Sequence, residues 1–184
     1  KMKEKTGVAT IKMSNDANVA ALGEAKFGAG KDYGSCLMVT LGTGVGGGII
    51  IDGKLMEGYM SAGAEIGHMV ICEGGALCTC GRHGCLEAYA SATALIRLTK
   101  WKMELDCSTK MWEIAGGKLE NVDGKTAFSA ARAGDMRGKE VVDEYVEHLA
   151  VGLANLANVL RPEAILLGGG VSNEGEYLFA PLRA

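Results

Sequence analysis

Between Ala64 and Ser91 the chain carries Glu65, His68 three residues on, then Cys78, Cys80 and Cys85 within eight residues, and then Glu87. Thiolates and imidazoles at that density are the donor set of a tetrahedral zinc ion. The cysteines supply three ligands, and His68 or His83 is available as the fourth. A Cys3His set closes the coordination sphere, so the ion it implies is structural and holds a loop with little regular hydrogen bonding. The opening KMKEKTG has no apolar run behind its charges, so no secretory signal is read there. Without a secretory context, crowded cysteines favour a metal over disulfides. Cys36, Cys72 and Cys107 are scattered and read as buried or neutral thiols. His148 falls in a long helical stretch and reads as a surface or packing residue.

Three other stretches place chemistry at element ends. LGTGVGGG delivers an apolar strand into a glycine-rich turn with Thr43 between Gly42 and Gly44. Backbone N–H groups in such a turn can surround a phosphate, and a Cβ there would block the approach. The Gly-Lys-Ser/Thr of a Walker A loop is absent. ILLGGGVS repeats the theme with Gly168, Gly169 and Gly170, where a nucleobase or ribose could rest on bare backbone. In SNDANVAALGE, Asn15 and Asp16 stand at the start of a helix. Both residue types cap helices well. A carboxylate at such a junction can also accept the proton of an attacking hydroxyl, with Asn15 orienting neighbouring hydroxyls.

The elements that must position these groups follow from apolar periodicity and punctuation. Residues 1–7 read as a helix end stopped by Gly7, 8–13 as a short strand, and 15–27 as a capped helix ending at glycines. An apolar strand covers 35–42. A second strand follows the glycine turn, and Asp52-Gly53 turns it back as a hairpin. Residues 59–85 are irregular. One helix runs from Leu86 to about Glu104, a short one lies near 108–116, another covers 125–135, and a long one covers 139–161 before Pro162. Residues 163–170 form a buried-type strand, and a last helix begins near Gly175. Alternating strands and helices with glycine turns at strand ends indicate an α/β domain, whose ligands sit outside the carboxyl ends of the strands.

The bulk numbers agree with a globular domain. The 184 residues include 22% charged side chains, 28 glycines and a net charge of −3, so no basic footprint for nucleic acid exists. No apolar run reaches the length of a membrane span.

Four motifs in order, NDAN, LGTGVGGG, EIGHM followed by CTCGRHGCLEAYAS, and LLGGGVS, identify a resemblance. The chain resembles the ROK group of sugar kinases and sugar-responsive repressors, most closely its glucokinase-like members. The resemblance implies an actin-like ATPase fold built from RNase-H-like domains. It implies ATP-dependent phosphorylation of a hexose at the 6-hydroxyl, with glucose the favoured acceptor and magnesium carried on the nucleotide. By the same resemblance Asp16 is the general base, and Asn15, Glu65, His68 and Glu87 bind sugar hydroxyls. Thr43 and Gly44 contact the phosphates, and Gly168, Gly169 and Gly170 lie against the adenosine. His68, Cys78, Cys80 and Cys85 hold zinc, which leaves the second imidazole nitrogen for the sugar.

The resemblance also sets expectations about organisation. Residues 1–17 correspond to the end of an N-terminal small domain and 18–184 to the large domain, without its C-terminal return helix. The family's N-terminal phosphate motif is absent, so the 184 residues alone are expected not to phosphorylate sugar at a useful rate. A cytoplasmic homodimer is implied, with no membrane or nucleic-acid partner. The alternatives are a sugar-sensing repressor, and a kinase for N-acetylmannosamine, N-acetylglucosamine, allose or fructose.

Overall fold

The computed structural model describes residues 2–8, 10 and 14–183. Of the strand expected over 8–13, residues 9 and 11–13 lie outside the described residues, and no strand is assigned at Val8 or Thr10. Helix α1, Met2–Thr6, ends at Gly7, which takes a left-handed φ of 69°. Helix α2, Asp16–Phe27, is capped by Asn15. Strands β1, Cys36–Leu41, and β2, Val45–Ile51, form an antiparallel hairpin, and β3, Lys54–Leu55, returns beside β2. After the irregular segment come α3, Glu87–Ala90, α4, Ala92–Leu105, α5, Met111–Ile114, α6, Thr126–Arg132, and α7, Met136–Leu160. Strand β4, Ala164–Gly168, pairs parallel to β1, and α8, Glu176–Leu182, closes the order. The sheet runs β3-β2-β1-β4.

The sheet's two faces follow the period-two alternation of its strands. Leu37, Val39, Leu41, Val45 and Ile49 point to the main core, where they join Leu86, Leu95, Phe128, Tyr145 and Leu149 from the helical layer. Cys36, Met38 and Ile50 point the other way and pack against Ala21 of α2. Tyr145 is wholly buried in the core of α7, and its ring meets Phe128 edge-on at 6.5 Å. Arg161 in the left-handed conformation ends α7, and Pro162 follows.

The structure revises three expectations. Gly46, Gly47 and Gly48 belong to strand β2 and not to the turn. The reason is packing: a Cβ on Gly48 would overlap Ala21 Cβ, and one on Gly47 would overlap Ile66. The glycines bring α2 and the 66–68 turn down onto the two faces of one strand. The single helix expected from Leu86 is two, because Ser91 adopts an extended ψ of 162° and caps α4 through the Ala94 amide at 3.0 Å. Strand β4 is half-buried along its length, because among the described residues it has a strand neighbour on one side only.

Candidate functional site

The segment between β3 and α3 is held by scattered backbone bonds, including Cys78 N–H to Arg82 C=O at 2.8 Å and Leu86 N–H to Met69 C=O at 2.8 Å. Single-residue bridges pair Val70 with Cys85 and Leu77 with His83. Within this frame the donor atoms of His68, Cys78, Cys80 and Cys85 all lie within 4.8 Å of one another. Cys80 and Cys85 sulfurs are 3.7 Å apart, and His68 Nδ1 lies 3.6 Å from Cys78 Sγ. A tetrahedral ion with metal–sulfur bonds of about 2.3 Å sets its sulfurs about 3.8 Å apart. Donor type, number and spacing therefore fit zinc. The sequence alone left His68 and His83 both open as the fourth donor. His83 is exposed, its Nδ1 lies 3.0 Å from the Gly75 carbonyl, and it stands outside the cluster.

Burial pushes the Cys85 thiol up to about 11, reinforced by the neighbouring Cys80 and Cys78. The Cys80 thiol is lowered, foremost by the backbone N–H of Arg82. A bound cation would displace these thiol protons, since thiolate is the coordinating form.

Beside the cluster an open cleft of about 610 Å³ lies at the carboxyl end of β1. Asn15, Asp16, Thr43, Gly44, Glu65, Glu87 and Gly169 all line it. The sequence expectations thus converge on one space from five separate chain segments. Asn15 Oδ1 accepts the amides of Ala17 at 2.9 Å and Asn18 at 3.4 Å, so the asparagine does cap α2. Capping fixes the helix start, and the next residue, Asp16, stays exposed at the cleft. The β1–β2 turn is tied down from behind: Ala92 N–H donates to the Gly42 carbonyl at 2.7 Å, and Thr93 Oγ1 donates to the Thr43 carbonyl at 2.8 Å. Glu87 Oε2 accepts the Val45 amide at 3.2 Å, and a Cβ on Gly44 would strike that same oxygen. Gly169 takes a φ of 87° and presses on the backbone of Leu41, which restricts the position to glycine.

Three expected residues, His68, Gly168 and Gly170, are not among the described residues lining the cleft. The 66–68 segment is a 3-10 turn that begins after Glu65. It leaves Glu65 on the cleft, while His68 faces the cysteines and is not among the described residues lining that space. Gly168 lines a separate apolar groove of about 770 Å³ between β4, α7 and α8. Sequence reasoning missed Thr40, which lines the cleft from the end of β1, and Thr79, whose hydroxyl reaches Glu87 Oε1 at 2.7 Å. For Thr79 the signal was its place between two metal-type cysteines. Three carboxylates, two threonine hydroxyls and open backbone suit a polyhydroxylated ligand whose hydroxyls both donate and accept.

The family model for the ROK family matches residues 1–184. The chain belongs to the ROK family. This ROK chain is 43% identical over 171 residues to the glucokinase of Thermotoga maritima, covering 93% of this chain and 54% of that one. It is 44% identical over 184 residues to the glucokinase of Halalkalibacterium halodurans, covering 100% of this chain and 55% of that protein. Among solved structures it is similar to a ROK family glucokinase from Streptomyces griseus in complex with glucose and AMPPNP. The TM-score is 0.90 at 39% identity, over 98% of this chain and 58% of that one. The fold is therefore the actin-like ATPase fold of ROK sugar kinases. The ROK chain spans about half the length of the curated relatives it matches.

Proposed function

We propose that these residues form the sugar-binding, zinc-bearing part of an ATP-dependent hexose kinase, with glucose the favoured acceptor. The observation that carries the reading is the convergence of Asp16, Glu65, Glu87, Thr43 and Gly169 on one cleft. In the proposed reaction the Asp16 carboxylate takes the proton of the sugar 6-hydroxyl. The oxygen attacks the γ-phosphorus in line, the bond to the β-phosphate oxygen breaks, and ADP leaves. Asn15, Glu65 and Glu87 hold sugar hydroxyls so that the 6-hydroxyl meets the phosphorus, and positioning is the larger part of the catalysis. His68, set back from the cleft with Nδ1 toward the cysteines, would offer its other ring nitrogen to the sugar. Thr43 and Gly44 meet the phosphates, and Gly168 to Gly170 meet the adenosine. Magnesium bound to ATP neutralises charge on the transferring group.

His68, Cys78, Cys80 and Cys85 would hold a structural zinc ion that fixes the loop between the 66–68 turn and α3. In this reading residues 1–17 end a small domain and 18–184 form the large one. The 184-residue chain alone then has no useful turnover, and the working protein is a cytoplasmic homodimer.

The test is Asp16→Asn in the full-length polypeptide carrying these residues, with glucose, ATP and magnesium. Turnover falls by about 10²- to 10⁴-fold, while glucose still binds and zinc is retained. Unchanged turnover removes Asp16 as the base. Glucose binding with no turnover in the unmodified protein points instead to a sugar-sensing regulator. A hexose and aminosugar panel on the same protein decides the acceptor.

A further inference from the structure

Thr79 occupies an unusual place. It lies between Cys78 and Cys80, so both of its chain neighbours belong to the metal-type cluster. Its side chain is exposed, and its hydroxyl lies 3.9 Å from Cys78 Sγ. Thr79 Oγ1 donates to Glu87 Oε1 at 2.7 Å, an oxygen that Cys78 Sγ also approaches at 3.7 Å. The other carboxylate oxygen, Oε2, accepts the Val45 amide at 3.2 Å. Glu87 is thus gripped at both oxygens, from the cysteine loop on one side and from the first residue of β2 on the other. A two-point grip removes rotation about the last side-chain torsion, which is otherwise broad for glutamate. Oε2, which accepts the Val45 amide, keeps acceptor capacity for a further donor, and Glu87 lines the cleft.

We propose that Thr79 is a positioning residue for sugar recognition, orienting the Glu87 carboxylate so that its unused lone pairs meet a sugar hydroxyl. The inference rests on the reading of Glu87 as a sugar ligand. It gives the metal loop a route into the cleft separate from His68: the cysteines fix the backbone on both sides of Thr79, and Thr79 fixes Glu87. Valine at this position keeps the shape and removes the donor. Serine keeps the donor.

The experiment measures glucose affinity by titration calorimetry on the full-length polypeptide, for the unmodified protein, Thr79→Val, Thr79→Ser, Glu87→Gln and the Thr79→Val/Glu87→Gln pair. Zinc content and ATP affinity are followed alongside. Thr79→Val is expected to weaken glucose binding about tenfold, equivalent to about 1.4 kcal/mol, with zinc and ATP binding unmoved. Thr79→Ser restores most of the affinity. In the Glu87→Gln background Thr79→Val has a much smaller further effect, which is the coupling of residues acting through one another. Full glucose affinity in Thr79→Val beside a weakened Glu87→Gln overturns the role of Thr79 and leaves Glu87 standing. An unweakened Glu87→Gln, or no glucose binding by the unmodified protein, overturns the underlying reading. Loss of zinc from Thr79→Val makes the residue part of the loop's folding and also overturns the proposal.

Discussion

The Tyr145 hydroxyl donates to the Ala90 carbonyl at 2.7 Å, across 55 positions of sequence. Ala90 is the last residue of α3, the turn that begins with Glu87. A core tyrosine of the long helix therefore anchors the turn that presents Glu87 to the cleft.

Replacing Tyr145 by phenylalanine keeps the ring packing and strands the Ala90 carbonyl without its donor. The expected cost is about 1–2 kcal/mol, read from the urea midpoint with an unchanged slope. The phenol is buried, which raises its ionisation well above the ordinary tyrosine range. Ultraviolet titration should show this tyrosine ionising only as the protein unfolds in alkali.

Asp135 is the acid-sensitive joint of the helical layer. Burial alone would raise its carboxyl, but the amides of Lys110 and Gly138 and the hydroxyl of Thr109 outweigh it, and the group is held below the usual carboxylate range. The three donors stand at 2.9, 2.6 and 2.9 Å, and one of them makes Asp135 the cap of α7. A depressed folded value means the stabilisation is complete above the unfolded carboxyl's titration and is lost as pH falls through the folded one. Asp135→Ala should cost about 1–2 kcal/mol at neutral pH. The gap from the unmodified protein should narrow as the solution is acidified below about pH 4. Parallel melts at neutral and acid pH check both halves.

Removing zinc should loosen one segment. Metal analysis is expected to find about one zinc per chain, and a strong chelator should expose residues 69–86 to protease while the sheet remains intact. Cys85→Ser should reproduce the effect, whereas Cys36→Ser, on the opposite face of the sheet, should not. Equal protease resistance with and without metal would sink the structural role.

Gly48→Ala tests the strand reading of the glycine run. The added methyl would press on Ala21 and on the Ala17 carbonyl, and overpacking of this kind costs about 1–3 kcal/mol. Gly124, with nothing near its Cβ position and no left-handed φ, is the control for local crowding. Because α2 carries Asp16, a displaced helix should also lower turnover of the full-length protein while zinc content stays the same.

Much of this was legible in the sequence because local rules dominated. Asn15 as a cap, Asp52-Gly53 as a turn, and Cys78, Cys80 and Cys85 as a cluster all depend on neighbours a few residues away. What was not legible depended on distant partners. Gly46 to Gly48 look like loop residues until α2 and Ile66 are seen lying on either side of them. Ser91 breaks its helix because the adjacent Ala92 amide is taken by Gly42, far back in the chain. The half-exposure of β4 reflects its position in the sheet, since residues 163–170 read as a buried-type strand by composition.

The break at Ser91 also bears on how the molecule assembles. Helix α3 is a single turn of four residues, and an isolated turn of that length costs more to nucleate than it returns. It exists only when Met69, Val45 and Tyr145 have reached it through contacts distant in sequence, with Thr79 joining from eight residues away. Contacts of that range close late. The Glu87 side of the cleft is therefore a late product of folding, completed only after the sheet, the long helix and the cysteine loop have met.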